Sequence, residues 1–525
     1  MPTNVFAAQA CIVNTVLSKC RTTLELLMSS VDLESLDERG LEVQAAALGA
    51  DVATTALGAM LEDACRRTSM ADLAKRGLSP SEVRWRQEPE YYCTVRATVG
   101  EMRVWTWAYR HRNASGGWTT QVPARGKIIA RRRTRSSVLA LEWESKVAAL
   151  HPYRQSADLL RFFSHDKLTV EDNTIARHVI AIASVIKRHW KYRAPSEIAE
   201  ILAEKATRDS KTGLPLLYVS CDAHCIRQYE DETWSAPWKN VNGVRLWCQD
   251  RKTGGIIHIG GDFTVGDCKE VVRLVEELGE LGILPRDLTY QRNDGPTGKQ
   301  PAVQALLVAV TDGAKWLHKR LAKALPPAVW LLDAYHAYEY LNEYAAKLYG
   351  KDTAVTKRHY ATLITQLTAC SPKNRRPRKP PRTWRRKTPR RREKVDHAQL
   401  KAEGYGIDAL ITYLKTYVVD ARHKATHDAF VQRLEELRDR MDYLGARARG
   451  MQIGSGAMES LHRTGSQLRL KLPGARWRPE AAQAILNLRC LDLAGRWGEF
   501  WSDAHLPELL DEALGCHQAR VRRAA

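Results

Sequence analysis

The sequence lacks any pair of cysteines at the spacing of a zinc site. Its eleven cysteines are scattered and none forms a Cys-x-x-Cys pair, so we expect no zinc ribbon or finger. Disulfides are not expected in a long intracellular chain either. Cys221 and Cys225 lie close to a candidate catalytic carboxylate, but the simpler interpretation of each is a small buried side chain.

The sequence also lacks a long apolar run, a signal peptide and a lipidation motif. Its first residues, MPTNVFAAQACIVNTVLSKC, are mildly apolar without a basic leader, and we interpret them as a helix. We therefore expect a cytoplasmic protein with no membrane partner.

Basic residues outnumber acidic residues in the composition. The chain has 81 Lys and Arg against 60 Asp and Glu, a net charge of +21, and its pI is about 9.5. Such an excess favours a polyanionic partner, most simply DNA or RNA.

The densest positive charge lies between Lys373 and Lys394, where 13 of 22 residues are basic and several prolines occur. A segment of this composition cannot pack into a core, and we expect an exposed, flexible loop. Its arginines could neutralise phosphates and its tryptophan could stack on an unpaired base; alternatively, the loop binds DNA without specificity. The candidate DNA-binding residues here are Arg375, Arg376, Trp384, Arg385 and Arg386.

At 525 residues the chain is too long for one core and should form several domains. Changes of pattern predict an N-terminal helical region (1–85), a β-ribbon with a basic linker (86–135), a helical, helix-turn-helix-like DNA-binding domain (136–208), the first part of an α/β core (209–349), a basic helical insertion (350–450), the second part of the core (451–502) and a C-terminal tail (503–525). The β-ribbon prediction rests on YYCTVRATVGEMRVWTWAYRHR, in which β-forming residues alternate with polar ones. The helices on either side of HDKL fit a helix-turn-helix or an ordinary helical bundle.

From residue 216 the pattern changes to strands and helices. LLYVSCDAH, GVRLWCQD and IIHIGGDF predict three strands, the last two forming a hairpin. A helix then precedes the apolar strand AVQALLVAVTDG, and another helix precedes the strand PAVWLLDAYH, which is followed by a further helix. Three antiparallel strands and then a β-α-β unit in a mixed sheet is the order of an α/β ribonuclease-H-like fold. A doubly wound sheet is the nearest alternative, but it would not begin with an antiparallel meander.

Three aspartates follow apolar strands: Asp222, Asp312 and Asp333. Side chains at strand ends converge in open α/β sheets, although aspartate is also common in turns and helix caps. The first and fourth strands of a ribonuclease-H-like sheet are neighbours, so we expect Asp222 and Asp312 to meet.

A third acid, Glu459, lies in IGSGAMESLHRT at the start of an amphipathic run. We expect a helix whose buried stripe contains Ala457, Leu461, Thr464 and Leu468, with Glu459, His462, Arg463 and Ser466 pointing elsewhere. Gly454 and Gly456 would let this helix approach the sheet closely. The alternative is an ordinary first-turn acid that pairs with Arg463.

Three gathered carboxylates raise one another's pKa unless a cation compensates their charge. Oxygen ligands suit Mg²⁺ or Mn²⁺, and two such ions about 3.5–4 Å apart would serve phosphodiester hydrolysis. The sequence thus predicts a two-ion site in which Asp222, Asp312 and Glu459 are both metal ligands and catalytic residues.

Four segments together resemble a known family: CDA at 221–223, TDGAKWL at 311–317, LLDAYHAYEYL at 331–341 and GSGAMES at 454–460. They resemble bacterial insertion-sequence transposases of the DDE superfamily. The run RLKLPGARWRPEAAQAILNLRCLDLAGRWGEFW that follows is most similar to the Kra-type group, distant relatives of Mutator-like enzymes. The resemblance covers about residues 215–502.

The resemblance implies that Asp222, Asp312 and Glu459 are the metal-binding triad of a ribonuclease-H-like core with a helical insertion. It also implies an accessory Asp–x–x–His element, Asp333 and His336, although His336 could be structural. Lys471, Gly474 and Trp477 match a motif that would hold terminal DNA, and Trp477 could equally be core. The remaining DNA-binding candidates in this run are Arg463 and Arg469.

The function implied is a transposase that binds the terminal inverted repeats of an insertion sequence, cleaves DNA and joins the 3′-hydroxyl ends to target DNA. A homodimer or larger oligomer associated with the bacterial nucleoid is expected. The alternatives are a non-catalytic DNA-binding regulator derived from such a protein and a ribonuclease-H-like nuclease or resolvase. The sequence departs from the group at Ala223, where glycine is frequent, and in YRHRNASGG, where the cysteines of a ribbon are missing.

Overall fold

A computed structural model gives the fold of most of the chain. The described residues are 3–29, 37–125, 134–229, 237–267, 269–293, 300–313, 315–369 and 395–524. The tract from Lys373 to Lys394 lies outside them, and with it Arg375, Arg376, Trp384, Arg385 and Arg386. Within these ranges, no helix is long and apolar enough to cross a membrane.

The first third of the chain has long helices, then short strands, then three helices. In chain order these are α1 (Thr3–Ser29), α2 (Glu38–Lys75), β1 (Arg84–Arg86), a 3₁₀ turn (Pro89–Tyr91), β2 (Tyr92–Ala97), β3 (Gly100–Trp105), β4 (Ala108–Arg112), β5 (Trp118–Gln121), α3 (Val138–Ala148), α4 (Tyr153–Phe163) and α5 (Asp172–Val185).

The middle of the chain alternates strands and helices. Its elements are a 3₁₀ turn (Arg188–Lys191), α6 (Pro195–Glu204), β6 (Leu216–Arg227), β7 (Trp238–Gln249), β8 (Ile256–Val265), α7 (Lys269–Glu280), β9 (Thr289–Tyr290), β10 (Val303–Gln304), β11 (Leu306–Thr311), α8 (Lys315–Ala324), β12 (Ala328–Leu332) and α9 (Ala334–Tyr349).

The described residues of the last third are mostly helical. They form α10 (Ala354–Thr368), α11 (His397–Ala402), α12 (Ile407–Thr416), a 3₁₀ turn (Ala421–His423), α13 (Lys424–Leu437), a 3₁₀ turn (Arg438–Arg440), α14 (Tyr443–Ala448), α15 (Gly456–Leu461), a π-helical turn (His462–Gln467), α16 (Leu468–Leu470), α17 (Pro479–Leu493), α18 (Trp497–Trp501) and α19 (Leu506–Ala524).

The chain divides into two compact units. One contains residues 1–187, 478–489 and 495–525, and the other contains residues 188–477 and 490–494. The division after residue 187 falls inside the segment predicted as 136–208, and the finer domain boundaries stay predictions.

The predicted β-ribbon is confirmed in the first unit. β2 and β3 form an antiparallel hairpin that packs against α2, with Cys65, Cys93 and Val104 in the buried cluster between them. β1, β4 and β5 form a separate antiparallel sheet. The helices predicted between 136 and 190 are also present as α3, α4 and α5, while a DNA-reading role for them stays a prediction.

A five-stranded mixed sheet lies at the centre of the second unit. Its order is β12-β11-β6-β7-β8; β6, β7 and β8 are antiparallel, while β11 is parallel to both β6 and β12. The prediction that the first and fourth long strands are neighbours is confirmed by the pairing of β6 with β11.

The fourth strand is shorter than predicted. AVQALLVAVTDG was expected to form one strand, but it breaks at Ala305 into β10 and β11. The strand is interrupted because Val303 and Gln304 pair with a different strand, β9, instead of joining the main sheet.

Both faces of the mixed sheet are covered, as its apolar strands predict. Alternate residues of β6 contribute to two different buried clusters, with Tyr218 in one and Val219 in the other. The cluster of Tyr218 also includes Leu363, Leu410 and Leu434 from the helical region 350–450. That region therefore packs on one face of the sheet.

Candidate active site

Asp222 and Asp312 lie side by side on parallel strands. β6 and β11 pair with Cys221 opposite Thr311, so the next residue of each strand, Asp222 or Asp312, stands at the same level. Neighbouring strands are about 4.8 Å apart. The structure therefore brings the first two predicted acids together.

Both aspartates belong to the same face of the sheet. Side chains alternate along a strand, so Asp222 shares the face of Tyr218, and Asp312 shares the face of Val310. Tyr218 and Val310 belong to the buried cluster that also contains Ala457 of α15. The helix that carries Glu459 thus packs on the face that bears the two aspartates.

Asp222 was predicted to end its strand, and this prediction is wrong. β6 continues to Arg227 because β7 keeps pairing with it that far, whereas β11 stops at Thr311. Asp222 consequently lies where one of the two neighbouring strands has ended, and its side chain is 36% exposed.

Cys221 is a buried side chain without nucleophilic character. Burial raises the pKa of its thiol to about 12, and the nearby charges of Asp312 and Asp222 act in the same direction. The neutral thiol fits the simpler interpretation made from the sequence. Cys225 is exposed and its Sγ lies 3.1 Å from Asn240 Oδ1.

Asp333 and His336 form a bonded pair at the start of α9. Asp333 is 2% exposed and caps α9 through the Tyr335 N–H, while His336 Nδ1 lies 2.8 Å from Asp333 Oδ2. Burial alone would raise the pKa of Asp333, but hydrogen bonds from His336, Ser455 and Tyr335 hold it below its ordinary value. The hydrogen bond to Asp333 raises the pKa of His336, although burial opposes this, and Asp312 adds to the rise.

The segment before α15 is fixed to the sheet by backbone hydrogen bonds. Gln452 N–H donates to the Tyr218 hydroxyl at 3.0 Å, and Ser455 N–H donates to Asp333 Oδ1 at 2.9 Å. Upstream, Arg449 Nε and Nη2 donate to the two oxygens of Asp209, at 2.9 and 3.0 Å. These contacts set where α15 begins.

The close packing of α15 on the sheet depends on glycines of the strands and not on the glycines at the start of α15. A Cβ at Gly243, the register partner of Asp222, would lie 2.7 Å from the Phe263 ring and closer still to Met458 of α15. Gly454 and Gly456, by contrast, have room for a Cβ, so the prediction that they allow the close approach was wrong. Arg245 of β7 also donates to the Ala457 carbonyl.

The predicted buried stripe fails after Leu461. Ala457 and Leu461 are buried as expected, but Thr464 and Leu468 are exposed, and His462 and Ser466 are buried instead. His462 lies one turn after the buried Met458, so the buried stripe includes both. The π-helical turn at His462–Gln467, with its wider i→i+5 bonding, shifts the side chains that follow, including Ser466.

A histidine pair that was not predicted from the sequence lies beside Asp222. His462 Nδ1 lies 2.9 Å from His224 Nδ1, and His462 Nε2 lies 3.7 Å from Asp222 Oδ2. Burial, with His462 and Lys471 nearby, lowers the pKa of His224 to about 3, and burial also lowers the pKa of His462. The spacing could have indicated the pair, since His224 shares the face of Asp222 and His462 is three residues after Glu459.

Glu459 does not join the aspartates in this structure. Its side chain is 75% exposed and its Oε1 lies 3.6 Å from Arg463 Nη2, as in the simpler alternative. In the described part of the chain, no three His, Cys, Asp or Glu side chains are grouped closely enough to hold a metal ion. Glu459 is nevertheless one helical turn from His462, a separation of about 5–6 Å between Cβ atoms, and His462 faces Asp222.

Of the DNA-binding candidates near α15, two are exposed to solvent and two are buried. Arg463 is 77% exposed, and Lys471 is exposed as well. Arg469 and Trp477 are buried, with the guanidinium carbon 4.7 Å from the ring centroid and the indole N–H bonded to the Leu470 carbonyl. Trp477 is therefore part of the core in this structure, and both side chains are turned away from solvent. Gly474 has a φ of 75°.

Comparisons with known proteins gave a weak structural similarity and no match to a family model or a curated protein. Among solved structures the chain is similar to the Drosophila P element transposase strand transfer complex, with 12% identity over 72% of this chain and 85% of that one, and a TM-score of 0.21. A likeness this weak assigns neither a fold nor a function.

Proposed function

We propose that this protein is a DNA transposase with a ribonuclease-H-like core, which cleaves DNA and joins the 3′-hydroxyl ends to a target. The observation that carries the proposal is the pairing of β6 with β11, which sets Asp222 beside Asp312 on the face where α15 packs. Two carboxylates side by side, at the level where β11 ends, would serve chemistry on phosphodiesters once a divalent cation is bound.

The donors fit a hard divalent cation. The three side chains offer oxygen ligands only, and the partly exposed Asp222 has no Lys or Arg partner among the described ion pairs. Asp222, Asp312 and Glu459 would hold Mg²⁺ or Mn²⁺, which when bound would neutralise charge on the phosphodiester and activate the attacking hydroxyl. Glu459 would exchange its solvent-exposed pairing with Arg463 for this role.

The other residues of the site act by position and charge. Asp333 binds the backbone at Ser455 and so fixes the start of the Glu459 helix. His336, whose pKa is raised by its hydrogen bond to Asp333, would carry positive charge near Asp312. The exposed Arg463 and Lys471 would contact phosphates, which fits the net charge of +21.

The test uses the full chain and DNA carrying the sequences that flank its gene. With Mg²⁺ we expect cleavage at the element ends and joined products in a strand-transfer assay. Asp222→Asn and Asp312→Asn should abolish both while end binding persists, and Asp250→Asn, in the β7–β8 turn, should leave both unchanged. Cleavage without joining would identify a nuclease instead.

The exposed position of Glu459 favours one other candidate, a non-catalytic DNA-binding regulator. For this candidate, the wild-type protein binds the ends and cuts nothing at any Mg²⁺ or Mn²⁺ concentration. That result would overturn the transposase proposal.

A further inference from the structure

One small sheet of the first unit carries arginines around a single tryptophan. β1, β4 and β5 are antiparallel in the order β1-β4-β5. One face of this sheet bears Trp85 and Tyr109, which pack with Leu73 of α2. By alternation, the opposite face bears the residues that we call the Trp118 cluster: Arg84, Arg110, Arg112 and Trp118.

The three guanidinium groups converge on the same ring. The guanidinium carbons of Arg84, Arg110 and Arg112 lie 4.8, 5.3 and 5.7 Å from the Trp118 ring centroid. Cation–π attraction holds each of them near the indole. They also repel one another, and an anion bound between them would offset this repulsion.

Within the described ranges, no carboxylate supplies that anion. None of the ion pairs among the described residues includes Arg84, Arg110 or Arg112. The neighbouring Arg86 differs, because its Nη2 lies 2.8 Å from Glu88 Oε1. The uncompensated charge is thus confined to the Trp118 cluster on this face.

The stacking favours phosphate over bases as the ligand. An arginine that lies over an aromatic ring can still donate from its N–H groups in bidentate bonds to phosphate. The Trp118 ring already contacts three guanidinium groups, which leaves it poorly placed to stack on a base. Arg84 and Arg112 are exposed, so their donors are accessible.

We propose that the Trp118 cluster is a binding site for the phosphate backbone of duplex DNA. The choice of DNA rests on the proposed function, whereas the phosphate chemistry rests on the cluster alone. This site lies in the first unit and is independent of the carboxylates in the second.

A matched control exists in the neighbouring hairpin. Arg103 is also exposed and its guanidinium carbon lies 4.7 Å from the Tyr92 ring centroid. Arg103→Gln therefore removes one exposed, ring-stacked arginine without touching the cluster, and Arg112→Gln removes the same charge within it.

The experiment measures anisotropy of a fluorescent DNA duplex with the full chain in EDTA, at several salt concentrations. Each lost phosphate contact should reduce the slope of log K against log salt by about 0.9. We expect the slope to fall by this amount for Arg112→Gln and by twice this amount for the double variant Arg84→Gln with Arg112→Gln. The slope should not change for Arg103→Gln. Over a fourfold rise in salt, the double variant should then lose about 10-fold less affinity than the wild type does.

Equal slopes for the double variant and Arg103→Gln would overturn the proposal. So would a change of slope seen with an RNA duplex and not with DNA. Unchanged circular dichroism, and recovery of the slope by Arg84→Lys with Arg112→Lys, would show that charge and not folding is measured. Because EDTA removes metal-dependent cleavage, a failure of the transposase proposal would leave this result unaffected.

Discussion

The carboxylate of Asp333 joins the end of β12, the start of α9 and the segment that leads to α15. Its Oδ1 accepts from the Tyr335 and Ser455 N–H groups, and its Oδ2 lies against His336. We propose that Asp333 positions the helix of Glu459, which is a more specific role than the accessory one implied by resemblance.

The Asp333–His336 pair predicts a pH dependence of stability. The raised pKa of His336 means that its contribution is complete below about pH 6.5, the ordinary value, and is lost as pH rises through the raised pKa. The lowered pKa of Asp333 means that its contribution to stability is present above the ordinary pKa of a carboxyl group and is lost as pH falls through the lowered pKa.

Thermal unfolding from pH 5 to 9 checks this. The difference in Tm between the wild type and His336→Gln should be largest at the acidic end and shrink as pH rises. His318 is a control, because burial lowers its pKa, and His318→Gln should show the opposite trend. A constant difference for His336→Gln would contradict the charged pair.

We predict that the single substitution Arg449→Gln causes a large loss of stability. Asp209 is fully buried and its pKa is lowered by the Arg449 hydrogen bonds, so Arg449→Gln leaves a buried charge poorly compensated. Because Arg449 is 30% exposed, we expect about 2–3 kcal/mol, below the range for a fully buried pair.

Urea unfolding at pH 7 measures this loss, with Arg438→Gln as the control. Arg438 pairs with Asp408 at the surface, where about 0–1 kcal/mol is typical. Equal losses for the two variants would show that the Arg449 pair does not fix the segment before α15.

At the level of elements, α15 lies on the sheet because two strand positions have no side chain. Gly243 accommodates Met458, and Gly261 accommodates Leu461. Gly243→Ala should cost about 1–3 kcal/mol, since the Phe263 ring cannot move as easily as the end of Met458. It should also lower DNA cleavage, because α15 is displaced from Asp222.

Gly456→Ala is the matched control for Gly243→Ala. A Cβ at Gly456 meets nothing within 4 Å, so this variant should fold and cleave like the wild type or be slightly more stable. Urea unfolding and the cleavage assay measure both variants. A Gly243→Ala protein with full activity would show that the position of α15 is unimportant.

The sequence predicted the elements of the sheet better than the helix of Glu459. Apolar strands such as LLVAVT are recognisable because burial on both faces leaves a continuous hydrophobic run. The π-helical turn left no comparable pattern, since the position of Ser466 depends on a shifted hydrogen bond and on the fit of Gly465 to Phe263. Long-range packing, and not local preference, decides such a turn.

For the whole molecule, the excess of positive charge predicts strongly salt-dependent DNA binding. Lys373–Lys394 supplies 13 of the 81 basic residues. Replacing this tract with a Gly/Ser linker of equal length should reduce both DNA affinity at low salt and the salt slope, because fewer counterions are released. The urea midpoint should stay the same, and a lowered midpoint would indicate that the tract contributes to the core.

The proposed function depends most on a shared cation site formed by Asp222 of β6, Asp312 after β11 and Glu459 of α15. Electron paramagnetic resonance of Mn²⁺ titrated into the full chain counts the bound ions directly. We predict saturable binding of two ions by the wild type and by Asp250→Asn, and loss of binding in Asp222→Asn, Asp312→Asn and Glu459→Gln. Identical Mn²⁺ binding by the wild type and those three variants would contradict the account.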